Sequence, residues 1–168
     1  MARTKTPKEP AAHPARETVA TIRKVLDAAA LKVKPFVHED QCGFVIDFED
    51  ALYEGAVAYI ILPENRFIFA IDLAGTGTPD TAHSMAEYIA RANYGMVVGN
   101  FDMDYSDLSA RFRVGLDYEG VELGAPLIKN IVATALEACD TYAAGLADVM
   151  QGRLTALEAI RTIEEPEA

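Results

Sequence analysis

The chain predicts an α+β protein, a two-layer sandwich of one antiparallel sheet with helices, in the order α-β-β-β-α-β-β-α(-α). Three observations predict it. Strand-like runs come in adjacent pairs joined by short turns, which suits antiparallel neighbours. Two stretches with helical spacing lie at the chain ends and a third lies in the middle. The 168 residues, 51% of them hydrophobic, are enough for one domain with a good core and cramped for two.

Residues 1–15 hold Pro7, Pro10 and Pro14 with almost no large apolar side chain, so a disordered basic tail is expected there. A single domain is expected over 16–163 and a frayed end over 164–168. From Arg16 to Leu31 the residues Val19, Ile22, Val25, Leu26 and Ala29 recur at three- and four-residue steps, the pattern of one helix face. Val33–His38 is a weak strand candidate, because Pro35 suits only an edge or a strand start. Phe44–Phe48 reads more firmly as a strand, whereas Glu49–Gly55 suits a loop. Ala56–Leu62 and Arg66–Leu73, rich in Ile, Val, Phe and Tyr, form a hairpin through Pro63-Glu64-Asn65.

Thr78 is placed to cap the middle helix, with Pro79 at its first position and Asp80 in its first turn. Met85, Ala86, Ile89 and Ala92 supply its stripe, Glu87 and Arg91 can pair outside, and a left-handed Asn93 or Gly95 would stop it. The next hairpin alternates with period two. Phe101, Met103 and Tyr105 point one way, and Asp102 and Asp104 the other. On the return strand Phe112, Val114 and Leu116 alternate with Arg111 and Arg113. With a turn at Ser106–Ser109, two aspartates meet two arginines in a cross-strand ladder. Pro126 starts a helix through Leu127, Ile131, Ala135, Leu136 and Cys139, widened by Ile128 and Val132. A short second helix is expected over Tyr142–Met150. Thr155 and Glu158 match a capping box for a last helix to about Ile163.

Net charge is −11, and the +3 of residues 1–16 leaves −14 for the rest. Such an acidic body disfavours nucleic acid and anionic membranes, whose phosphates need dense Lys and Arg. No apolar run approaches the ~18–20 residues that span a bilayer. The start, MARTKTPKEPAAHPAR, has no apolar segment of the kind a secretory signal carries, so a cytoplasmic location is expected. Cys42 and Cys139 form no CxxC and read as small core residues.

Candidate chemistry resolves into structure. A calcium loop starting at Asp102 would need glycine at Asp107 and glutamate at Arg113. Gly75-Thr76-Gly77 sits between strand and helix, but the third glycine of a dinucleotide loop is missing and Pro79 removes an amide. His13, His38 and His83 have no ligand spacing. Ser84, Ser106 and Ser109 lack a nucleophile elbow, and Cys139 with His83 would pair only by accident of folding. Arg23, Lys24, Lys32, Lys34 and Lys129 are interleaved with acids and have no tryptophan beside them. The site list is therefore empty: no catalytic, cofactor-binding or metal residue.

The segment Ala92-Asn93-Tyr94, Gly99-Asn100-Phe101-Asp102-Met103-Asp104 and Arg111-Phe112-Arg113-Val114-Gly115-Leu116 resembles the YbjN family of bacterial proteins. That family has an Asn ending the middle helix, a Gly and an aromatic opening the next strand, and an arginine-aromatic return strand. The last helices, to Ile163, look similar. This chain carries Ser106-Asp107-Leu108-Ser109 where the family has an acidic residue and glycine. The resemblance covers residues 18–163. It implies a type III secretion chaperone-like fold, seen in dimers that hold extended client segments on apolar surface. The family is described as sensory-transduction regulators, with no established catalytic residue to carry over.

The expectation is thus a non-catalytic cytoplasmic protein-binding module, a regulator or chaperone-like adaptor and a homodimer, using no cofactor, nucleic acid or membrane. Its apolar helix faces would supply the subunit contact. The alternative is a small-molecule sensor or enzyme with a pocket between the helix layer and the sheet. Any working surface is expected on the helices or at the sheet edge near Pro35.

Overall fold

The computed structural model describes residues 13–62 and 65–164. Its elements run α1 (His13–Ala28), β1 (Lys32–His38), β2 (Gln41–Asp47), β3 (Tyr53–Ile61), β4 (Arg66–Leu73), α2 (Ala82–Tyr94), β5 (Asn100–Met103), β6 (Ala110–Asp117), α3 (Ala125–Met150) and α4 (Ala156–Glu164). The six strands form one sheet in the order β1-β2-β3-β4-β6-β5, every neighbouring pair antiparallel. One face is the core. Phe44, Ile60, Phe67, Phe69 and Phe112 point from it against Ile22 and Leu26 of α1, Met85 and Tyr88 of α2, and Ile128 and Val132 of α3, all buried. This is the expected α+β sandwich.

Four strands, not three, separate α1 from α2. Pro35 does not break β1, because β1 is an edge strand. The two-residue turn Glu39-Asp40 makes His38 and Gln41 the hydrogen-bonded pair, so alternation turns the backbone of Val33, Pro35 and Val37 outward, where a missing N–H costs no ladder bond. β3 also begins earlier than its apolar run, at Tyr53, across an irregularity at Gly55.

Helix ends depart from expectation in three places. α1 starts at His13, ahead of Arg16, since Pro14 in a first turn has no intrahelical bond to lose. Of the expected tails, residues 1–12 and 165–168 lie outside the described residues, as do Pro63 and Glu64. α2 starts at Ala82, with Thr81 rather than Thr78 at the cap; the Thr81 hydroxyl accepts the Thr78 amide at 2.9 Å, which ties the preceding turn instead of the helix. Neither Asn93 nor Gly95 is left-handed. Asn93 is helical, and Gly95 ends α2 at φ −92°.

The C-terminal helix does not break at Tyr142. α3 runs unbroken for 26 residues. Gly145 sits inside it for a packing reason. The Tyr88 hydroxyl donates to the Tyr142 carbonyl at 2.7 Å, and a Cβ on Gly145 would lie 2.6 Å from that hydroxyl. The bare backbone lets α2 approach α3, so glycine here marks close contact, not a stop. α4 is capped as the sequence implies: the Thr155 hydroxyl accepts the Glu158 amide at 3.3 Å and Glu158 accepts the Thr155 amide at 2.8 Å.

The β5–β6 hairpin keeps the expected facing, with Phe101 opposite Phe112 and Asp102 opposite Arg111. The ladder is smaller than expected. Asp102 alone takes both guanidiniums, Arg111 at 2.7 Å and Arg113 at 3.4 Å. Asp104 turns into the loop, where it accepts the Ser106 amide at 2.7 Å, and that bond holds its carboxyl below the usual range. Tyr105 lies past the end of β5 and is exposed.

Candidate functional site

The sheet has two faces, and helices cover one. The registers of the strand pairs align the other face into four rows across the strands. The first holds His38, Gln41, Ile61, Arg66 and Asp117. The second is Phe36, Gly43, Tyr59, Ile68 and Gly115, without one charged residue. The third is Lys34, Val45, Val57, Ala70, Arg113 and Asn100. The fourth is Lys32, Asp47, Gly55, Asp72, Arg111 and Asp102. The middle of this face is apolar and its border carries charges of both signs.

Local chemistry builds the apolar centre. A Cβ on Gly43 would lie 2.1 Å from the Ala58 carbonyl and 2.7 Å from the Tyr59 Cβ, so only glycine fits beneath the Tyr59 side chain. The Phe36 and Tyr59 rings meet edge-to-face across it, with centroids 6.1 Å apart. Gly115 similarly leaves room beside Ile68, whose Cδ1 would lie 3.3 Å from an added Cβ. Phe36, Val57, Tyr59, Ile61 and Ile68 are half-buried by one another, and Val45 is 38% exposed.

The border is fixed by short-range pairs. Lys34 meets Asp47 at 2.6 Å, and Lys32 meets Glu49. These pairs spend most of the basic area that the sequence assembles, and Arg23 donates to Asp27 at 2.8 Å on α1. A cleft of about 510 Å3 opens at the other corner, lined by Glu54, Asp72, Asp102, Asp104, Asp107 and Arg111. Burial raises the Asp72 carboxyl there, against the opposing pull of Arg111.

A second concavity lies at the sheet edge near Pro35, where the sequence places a working surface. This groove of about 360 Å3 runs between α1 and β1–β2, lined chiefly by Val19, Ala20, Pro35, Val37, Cys42 and Phe44, with Arg16 and Arg23 beside it. The Arg23 guanidinium lies 5.8 Å from the Phe44 ring centroid.

The residues weighed for chemistry are not brought together. Cys42 and Cys139 are free and buried; burial raises both thiols, Cys139 to about 12. His38 is exposed at the end of β1, and His83 is exposed on α2. The Gly77 amide donates to the Leu108 carbonyl at 2.9 Å and the Thr78 amide to Thr81, so this loop spends those two amides within the chain. Among the described residues no cluster of three or more metal-ligating side chains forms. No helix of the described residues is long and apolar enough to cross a membrane. The expected apolar helix faces are covered too: Ile22, Leu26, Ile131, Leu146 and Ile160 are all buried within the chain.

The amide of Asn93 carries a role that the sequence reading missed. Its Nδ2 donates to the Phe101 carbonyl at 2.9 Å and its Oδ1 accepts the Phe101 amide at 2.8 Å. A side chain thereby occupies the outer edge of β5 as a neighbouring strand would. β1 is then the edge left with outward backbone groups.

Comparison with known proteins agrees with this architecture. Among curated proteins none matches the chain. The crystal structure of YbjN from E. coli, described as "a putative transcription regulator", aligns with a TM-score of 0.55 at 13% identity over 80% of this chain and 89% of that one. The model of the YbjN family, "Putative bacterial sensory transduction regulator", matches residues 18–148. With that match spanning most of the sandwich, the chain belongs to the YbjN family.

Proposed function

We propose that this protein is a non-catalytic regulator of the bacterial cytoplasm that acts as a protein-binding module, chaperone-like in fold, through the helix-free face of its sheet. One observation carries the reading: the uncharged row Phe36-Gly43-Tyr59-Ile68-Gly115, set inside a border of mixed charge. Protein interfaces share that anatomy, an apolar centre with a polar rim. A family described as sensory-transduction regulators supports it.

The test is genetic. Val57→Lys with Ile68→Lys charges the centre, and Lys129→Glu alters exposed α3 as a control. The face variant, at wild-type protein level and with wild-type circular dichroism, is expected to reproduce the transcript profile of a deletion strain, while the control does not. A folded face variant with the wild-type profile refutes the reading.

A second reading, a small-ligand sensor, is favoured by the apolar groove beside Pro35. Its volume falls within the ~300–1,000 Å3 of ligand sites. A thermal-shift panel of apolar carboxylates, suited to the neighbouring arginines, tests it. A rise in Tm that Ala20→Phe abolishes supports this reading, and no rise across the panel removes it.

A further inference from the structure

Resting on the reading of the open sheet face as a protein contact, we infer that its occupant is a second copy of this chain, stacked face to face about a twofold axis running across the strands. Such an axis lies between the second and third rows and sets each strand over itself, reversed. The first row then faces the fourth row of the other copy, and the second faces the third.

Four of the pairs this creates match in charge or size, while Lys34 falls over Phe36, Arg113 over Gly115 and Tyr59 over Val57. Arg66 of one copy meets Asp72 of the other, and Asp117 meets Arg111. Ile61 falls over Gly55 and Ile68 over Ala70, large over small at both places. Being isologous, the axis makes each match twice. At the β1 corner His38 falls over Lys32, a pair that adds nothing to the match.

The area also fits. Six strands about 4.8 Å apart and roughly 20–24 Å long give on the order of 600–700 Å2 per copy. The two copies together bury about 1,200–1,400 Å2, within the ~1,200–2,000 Å2 of specific interfaces. Among the described residues no segment need rearrange, since none of their helices lies on this face.

Sedimentation velocity and light scattering on the full chain at tens of micromolar test this. The expected species is a dimer of about 36 kDa, twice the 18.2 kDa chain. Ile68→Asp is expected to give a monomer with wild-type circular dichroism. Arg66→Asp and Asp72→Arg are each expected to weaken association at least tenfold, and the double variant to recover most of the loss. Arg66 is exposed, so its variant reports even if the Ile68 variant misfolds. A wild-type monomer overturns the inference, as does a dimer that neither Ile68→Asp nor Arg66→Asp weakens. Single variants that weaken the dimer without mutual rescue overturn the twofold register. A monomer whose Val57→Lys, Ile68→Lys form still loses regulation overturns the dimer alone and leaves the protein-contact reading standing.

Discussion

Asn93→Ala removes the amide that closes the β5 edge. The structure sets the size of the effect. The Phe101 N–H loses its partner at 2.8 Å, and the Phe101 C=O loses one of two donors, since the Asn100 amide also donates to it at 3.1 Å; the site is part-buried beside a ring 1% exposed. An orphaned buried backbone group costs ~1–3 kcal/mol, and because the carbonyl keeps the Asn100 donor the expected loss is that of the N–H, roughly 1–3 kcal/mol. For a chain of this size that is a fall in Tm on the order of 5 °C. Urea unfolding gives the energy, and amide exchange at Phe101 gives the location. Asn93→Asp separates the two bonds: it retains the acceptor for the Phe101 amide, so exchange there stays slow, while the carbonyl is left with the Asn100 donor alone and stability falls by less than in Asn93→Ala. A loss below about 0.5 kcal/mol in Asn93→Ala, with Phe101 exchange unchanged, would refute the strand-mimic argument.

Three further outcomes follow from the packing. Phe112→Ala, which empties a fully buried site, is expected to cost about 3–5 kcal/mol, whereas Asp102→Ala on the half-exposed ladder costs about 1 kcal/mol or less; the reverse order in denaturant unfolding would contradict the facing of the hairpin. Gly145→Ala gains helix propensity yet is expected to destabilise, because its methyl meets the Tyr88 hydroxyl; in a Tyr88→Phe background the cost falls, and strict additivity in a double-mutant cycle would contradict the contact. The Cys139 thiol, raised by burial from 9.0 to about 12, favours the protonated form when folded. Its contribution is complete below pH 9 and is lost as pH rises toward 12, at most about 1.4 kcal/mol per pH unit. Cys139→Ala should flatten stability against pH in that window; an unchanged slope counts against burial of the thiol.

Much of the fold is legible because period-two and helical spacings report directly on which side chains a sheet or helix buries. Phe101 opposite Phe112, the Glu87–Arg91 pair and the Thr155–Glu158 box all follow from spacing within one or two elements. Errors at Gly145 and Asn93 fall where a residue serves a neighbour outside its own element, and the error at Asp104 where a local turn competes with the ladder. Gly145 answers to Tyr88, 57 positions away, and so reads as a break. Asn93 answers to Phe101 and so reads as a helix stop. Asp104 is captured by its own turn before it can reach an arginine.

The candidate surface was hidden for the same reason. Its central row draws one residue from each of five strands, Phe36, Gly43, Tyr59, Ile68 and Gly115. Each looks like an ordinary strand position by itself. Only the registers, and β6 pairing with β4, align them. The edge near Pro35 was legible because proline restricts a strand to that place.

The decisive question is whether the open face meets protein in the cell. Photo-crosslinking in the living bacterium, with a diazirine side chain at Val57 and a control at Lys129, measures this most directly. A discrete protein adduct is expected from position 57, at the mass of two chains, and none from position 129. Position 57 giving only water-quenched monomer would contradict this expectation.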